Sequence, residues 1–204
     1  MADIKAYRPK THSLSSGQVL PRDYSFGEAE LVVKEMADAL ALSLTRNGLE
    51  TTGVTLYVLY SGKLGLPPVR GSVAFPLPTN GAREIVPAVA RVYERITDRR
   101  LPIRRLNLTA ENVTGSGREH QLTFGDLLLA DERERTGERY RNRGETANAA
   151  DLYAERERER DRNEQAAIVE IQRRYGKNAL LKGMDFGEAA TTRERNGQIG
   201  GHKK

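Results

Sequence analysis

Residues 12–24 read HSLSSGQVLPRDY, a strand-length run of small hydroxyl residues with Gly17 and Gln18, closed by a turn at Pro21. Ser13, Ser15, Ser16 and Gly17 carry little side-chain bulk, so main-chain N–H groups of such a strand can come close to another polar surface, phosphate oxygens among them. The same composition suits an edge strand or a linker. The stretch alone leaves both readings open, and its neighbours have to decide.

Outward from it, Ser25-Phe26-Gly27-Glu28 has the form of a capping box at a helix start. Val33, Met36, Leu40 and Leu44 then recur at helical spacing, and Asn47-Gly48 is a C-terminal stop. Residues 53–61 predict a central strand, with Val54, Leu56, Val58 and Tyr60 on one face and Thr55, Tyr57 and Leu59 on the other. After a Gly/Pro loop, Val69, Gly71, Val73 and Phe75 alternate with Arg70, Ser72 and Ala74 in a second strand, paired with the first as a hairpin. Pro76 to Gly81 is expected to break the pattern. A second helix follows from about residue 83 to 97 on the stripe Ile85, Val89, Val92 and Ile96, and residues 101–109, LPIRRLNLT, form a last strand. The order β-α-β-β-α-β predicts an α+β domain: a four-stranded sheet with both helices on one face and the other face open.

Charge points to that domain as the place for an anionic partner. Residues 1–115 hold 15 Lys and Arg against 11 Asp and Glu, whereas residues 116–204 hold 18 against 17. Lys10, Arg22, Lys63, Arg70, Arg99, Arg100, Arg104 and Arg105 fall on strands and strand-linking loops. Arg70 and Ser72 alternate with the apolar residues of their strand, as Arg105 and Asn107 do with Leu106 and Leu108, so all four are expected to face away from the helices. The face lacks the aromatic pair on which RNA-recognition motifs stack bases, which favours backbone contact over base readout.

Beyond residue 113 the character changes. Gly115-Ser116-Gly117 ends the domain, and a short apolar island spans residues 121–129. Residues 130–163 are crowded with Arg and Glu, and in 155–162 opposite charges stand at i,i+3, a pattern that supports a solvated helical spacer. A more apolar helix through Ala166, Ala167, Ile168, Ile171 and Tyr175 stops at Gly176, and the remaining residues either dock or stay loose.

The absence of Cys excludes disulfides and thiolate metal sites and fits a reducing cytoplasm. No apolar run approaches the roughly 18–20 residues of a membrane span, and no signal peptide is visible, so a soluble cytoplasmic protein is expected. His12, His120 and His202 stand in no ligand or triad spacing, and the carboxylates lie beside Arg on helix faces rather than converging on a Mg²⁺. The chain by itself is expected not to be an enzyme, with no catalytic residue and no cofactor.

The string KTHSLSSGQVLPRDY at residues 10–24, the capped helix, TLYVLYS at 55–61 and PIRRLNLT at 102–109 together resemble the little-finger domain of bacterial Y-family translesion DNA polymerases. IQRRYGKNALLKG at 171–183 and ATTRERNGQIGGHK at 190–203 resemble the tail of one bacterial branch of that family. The resemblance implies a non-catalytic, sequence-tolerant grip on the backbone of damaged template–primer DNA in SOS lesion bypass. The metal-binding palm, with the fingers and thumb, would be missing here, and any Mg²⁺ would belong to that palm. Residues 1–11 would be the linker from the thumb, 12–114 the little finger, 115–165 a charged linker and 166–204 the C-terminal helix and tail. Ser13, Ser15, Ser16, Gly17 and Gln18 would meet phosphates through the first strand, Arg104 and Arg105 match the basic last strand, and His12 stands where relatives often carry Lys. Gln121-Leu122-Thr123-Phe124 resembles the family's motif for the β sliding clamp, one residue short. Gln121, Leu122 and Phe124 would bind the clamp, or else staple the tail to the domain. The alternative function is a freestanding interaction protein that binds the clamp or completes a polymerase core supplied by another chain.

Overall fold

The computed structural model describes residues 12–116, 146–199 and 202–203. Within them run β1 (His12–Tyr24), α1 (Phe26–Arg46), β2 (Leu49–Tyr60), β3 (Val69–Thr79), α2 (Ala82–Ile96), β4 (Ile103–Gly115), α3 (Thr146–Tyr175), α4 (Thr192–Asn196), β5 (Gln198–Ile199) and β6 (His202–Lys203). The expected α+β order of four strands and two helices is present, and the four-stranded sheet has the order β1-β4-β2-β3 with every neighbouring pair antiparallel. β1 and β2 therefore run parallel with β4 inserted between them, and β3 and β4 run parallel with β2 between them, so two split βαβ units interlock.

The helices cover one face because alternation and helical periodicity deliver apolar side chains to the same side. Val54, Leu56 and Val58 of β2 and Leu106, Leu108 and Ala110 of β4 are buried against Val33, Met36, Leu40 and Leu44 of α1 and Ile85, Val89 and Val92 of α2. Tyr93 on α2 is fully buried, stacks at 4.7 Å on Phe26, and its hydroxyl donates to the Phe26 carbonyl at 2.8 Å, tying the two helices at their ends. At the start of α1 the Glu28 carboxylate accepts both the Ser25 N–H and the Ser25 hydroxyl at 2.8 Å, which anchors the first turn.

Strand boundaries differ from the sequence reading. β3 continues through Pro76 and Pro78 to Thr79, where a break was expected. β3 is an edge strand with an irregular register between Thr51 and Gly53 of its partner, and edge or bulged positions need no ladder N–H from proline. β2 begins at Leu49 and β4 reaches Gly115, since Leu49 pairs with Gly115 across that extension.

The described part of the charged run, expected as a solvated spacer, keeps most of its side chains exposed but also lies against the domain. One helix, α3, extends from residue 146 to 175, through the boundary expected at 165/166, and residues 157–168 pack on α1 and α2. Arg83 of α2 bonds Glu157 at 2.9 Å and Glu164 at 3.2 Å, Arg158 bonds Glu84 at 2.8 Å, and Asp161, Gln165 and Ile168 are buried. After Gly176, at φ +94°, the chain returns along α1. There Lys182 pairs with Asp38, the buried Glu35 accepts the Thr191 N–H at 2.9 Å and its hydroxyl at 3.0 Å, and Ala189 enters the core. The C-terminal segment docks.

Candidate nucleic-acid interface

The face of the sheet away from the helices is a grid set by register. Its rows read Val19–Arg105–Leu59, then Gly17–Asn107–Tyr57–Arg70, then Ser15–Thr109–Thr55–Ser72. Ser13, Ser15, Gly17, Val19, Arg70, Ser72 and Arg105 are exposed, in contrast to the opposite face. The Ser15 and Thr109 hydroxyls meet at 3.0 Å, and a Cβ at Gly17 would come within 3.0 Å of Asn107 Oδ1. The surface along β1 is thus low and polar. The Arg70 guanidinium lies 5.5 Å over the Tyr57 ring, which holds it flat on the face. At one end Glu111, two residues beyond Thr109 on the same face, accepts the Thr55 hydroxyl at 2.6 Å.

Among the described residues, ion pairs engage Arg22, Lys34, Arg83, Arg158, Arg160, Arg173, Arg174 and Lys182, and neither Arg70 nor Arg105 is among them. These two arginines therefore share the face with hydroxyls and a glycine, and no described carboxylate forms an ion pair with either. Such a surface can accept a run of phosphates through charge and hydrogen-bond donors.

The predicted residues divide into groups. Ser13, Ser15, Gly17, Arg70, Ser72 and Arg105 share the open face. Arg104, next to Arg105 in the strand, is turned away from them by alternation, and a register irregularity that pairs Arg105 with Leu59 and Ile103 with Tyr60 leaves it as the extra residue of a bulge. It lines a shallow groove at the sheet end with Lys63, Asp23 and Ser61. Ser16 and Gln18 point toward the helix side, so only their main chain belongs to the strand's outer surface. Arg22 is engaged elsewhere, 2.5 Å from Glu28 and stacked 4.7 Å over Tyr24. Its hydrogen bond, with those from Ser25, holds the Glu28 carboxyl down at about 2. Arg99 stacks 4.6 Å over Phe26 on the helix side, and the Arg100 N–H caps Asp98 at 2.9 Å. Lys10 and the proposed clamp residues Gln121, Leu122 and Phe124 lie outside the described residues, as does the His12 side chain. Tyr57, Asn107 and Thr109 belong to the face and were not singled out as contacts, although strict alternation with Leu56, Leu106 and Leu108 marks them.

Among the described residues no group of three or more His, Asp or Glu is placed to hold a metal ion, and no helix is long and apolar enough to cross a membrane. The profile of the impB/mucB/samB family C-terminal domain matches residues 11–124. The chain belongs to this family. Its matched region is the little finger of the Y-family DNA polymerases, and it coincides with β1 to β4 plus the residues that follow. Among solved structures, the little-finger domain of PolIV in complex with the beta-clamp processivity factor is 13% identical, over 56% of this chain and 99% of that one, with a TM-score of 0.38. An insertion ternary complex of Dbh DNA polymerase is 14% identical over 52% of this chain, with a TM-score of 0.38, and a post-insertion binary complex of the same polymerase 16% over 51%, with 0.39. This chain covers 29% of each of those Dbh DNA polymerase chains. No curated protein matches the sequence significantly.

Proposed function

We propose that the little finger of this chain grips the backbone of damaged template–primer DNA through the open face of its sheet, as a non-catalytic part of lesion bypass. The observation that carries this is the placement of Arg70 and Arg105 on the same open face as Ser15, Gly17, Ser72 and Thr109, with no carboxylate paired to either among the described residues. Hydroxyls, backbone amides and guanidinium groups bind phosphate without reading bases, which matches the tolerance a bypass module needs. Lys63 and Arg104 extend the positive surface past the sheet end. SOS-type repair in the cytoplasm is the setting such a grip fits.

The test is fluorescence anisotropy of a labelled primer–template across a salt series, comparing the native chain with Arg70→Ala/Arg105→Ala. Each lost phosphate contact should reduce the salt slope by about 0.9. Unchanged affinity together with an unchanged slope would remove the open face from the interface.

The β sliding clamp is the second proposed partner, through Gln121 at a pocket rim and Leu122 and Phe124 in an apolar pocket. The four-residue string closes the family-matched region, immediately after the folded domain, where a short segment can reach a partner. Clamp capture that ignores Gln121→Ala/Phe124→Ala would exclude this contact. A polymerase core supplied by another chain would complete the activity of the parent family.

A further inference from the structure

β1 is an edge strand of the sheet, and along it, between α1 and the returning C-terminal segment, lies a cavity of about 340 Å³. Ser15, Ser16, Thr192, Arg195 and Asn196 line its β1 side. Arg195 is the unusual member. Its described hydrogen bond is a long one, from Nη2 to Ser16 Oγ at 3.3 Å, and burial lowers the pKa of its guanidinium although the charge of Glu35 opposes that shift. A partly desolvated guanidinium carries five N–H donors and is stabilised by an anion that accepts several of them.

The carboxylates lining the same cavity are already committed. Glu35 accepts Thr191 N–H, the Thr191 hydroxyl and Thr192 N–H; Asp38 is taken by Lys182; Asp185 accepts the Lys182 N–H at 2.7 Å. Among the described residues no carboxylate forms an ion pair with Arg195. Lys177 lines the cavity as well, and so does Arg46, which gives one N–H to Gln172 Oε1 at 3.1 Å and keeps further donors.

We propose that Arg195, with the Ser16 hydroxyl, forms a phosphate-binding site at the edge of β1, built jointly by the little finger and the C-terminal segment. The site would take a backbone phosphate of a nucleic acid strand that turns around this edge from the open face. Only that source of the phosphate rests on the function proposed above. The anion site itself follows from the cavity and its arginine. The C-terminal segment thereby contributes directly to binding, besides bracing α1.

The experiment uses the full 204-residue chain. The Arg195 Nε–Hε resonance, assigned by its loss in Arg195→Lys, is followed during titration with inorganic phosphate and, separately, with a primer–template oligonucleotide. A saturable shift with both is expected, and Arg195→Gln should weaken oligonucleotide binding several-fold and lower the salt slope by about 0.9. A shift with inorganic phosphate alone supports the site and assigns it to a free anion. No shift with either, in native protein of unchanged fold, overturns it. Repeating the titration in Arg70→Ala/Arg105→Ala separates the two proposals: an Arg195 response that persists while those substitutions leave affinity and slope unchanged sinks the open face and spares the edge site.

Discussion

The carboxylate of Asp161 on α3 accepts the backbone N–H of Arg83 in the first turn of α2, at 3.2 Å and across 78 residues of chain. The first N–H groups of a helix have no partner within it, and a carboxylate there also meets the positive end of the helix dipole. Asp161 is thus a cap supplied in space rather than in sequence, where Gly81 occupies the cap position and has no side chain to offer. A Cβ at Gly81 would come within 2.8 Å of Asp161 Oδ2, so the glycine makes room for its substitute.

Asp161→Ala should accordingly cost about 1 kcal/mol of stability, the usual value of a lost N-cap. Urea unfolding would show a lower midpoint with an unchanged slope. Glu159→Ala, an exposed neighbour on the same helix, should stay within about 0.5 kcal/mol of the native chain. Equal effects from both would mean that helix propensity, not the cap, sets the loss.

Lys182→Ala tests the C-terminal latch and carries a pH signature. Burial pushes the Asp38 carboxyl above its ordinary value although Lys182 opposes that shift. Without Lys182 the ionised carboxylate loses its partner, so its pKa should climb further. A carboxyl whose folded pKa is raised destabilises the fold as pH rises through it and ceases to do so once protonated. The stability deficit of Lys182→Ala should be largest near neutrality and shrink as the medium is acidified, read from thermal melts between pH 4 and about 7.5. A deficit independent of pH would assign the loss to packing of the lysine stem.

Gly71→Ala probes a close approach of α2 to the sheet. A Cβ there would sit 2.6 Å from Ile96 Cγ2 and 2.9 Å from Val92 Cγ1, so α2 has to shift or the side chains leave their rotamers. Overpacking of this kind costs roughly 1–3 kcal/mol. Ile96→Ala in the same chain should recover part of the loss, and purely additive effects in that double-mutant cycle would show that the two side chains do not meet.

Arg22→Ala distinguishes a structural arginine from one available to a ligand. The Glu28 carboxyl, held at about 2 by Arg22 and the Ser25 donors, should titrate closer to the ordinary glutamate value in this variant, as followed by carboxyl-carbon NMR. A depressed carboxyl stabilises the fold above its unfolded pKa and loses that contribution as pH falls, here from about 4.5 to about 2. Arg22→Ala should flatten that acid limb while leaving the salt slope for DNA unchanged. A slope reduced by about 0.9 would return Arg22 to the interface.

Much of the little finger is legible in residue order because its signals are local. The capping box at Ser25 and Glu28, the α1 stripe of Val33, Met36, Leu40 and Leu44, and the alternation in β2 and β4 each depend on backbone geometry over a few residues. The candidate face is legible to the same degree: alternation alone turns Arg70, Ser72 and Arg105 outward. Prolines at 76 and 78 mislead, since a strand edge tolerates what a central strand does not, and edge position is a property of the assembled sheet.

By itself, then, the sequence determined the six elements of the domain, the side of each strand that is apolar, and membership in a family whose strings it carries. Tertiary structure alone decided the order β1-β4-β2-β3, the register shift at Arg104, and the commitment of Arg22 to Glu28 and Arg99 to Phe26. It also decided that the Arg/Glu helix packs on the domain. Opposite charges at i,i+3 have the same spacing whether their partners are water, each other or Arg83 on a distant helix. The physical reason is range: periodicity is written by φ, ψ and 3.6 residues per turn, whereas partners 74 to 179 positions apart, such as Arg83 with Glu157 and Arg195 with Ser16, exist only once the chain has closed.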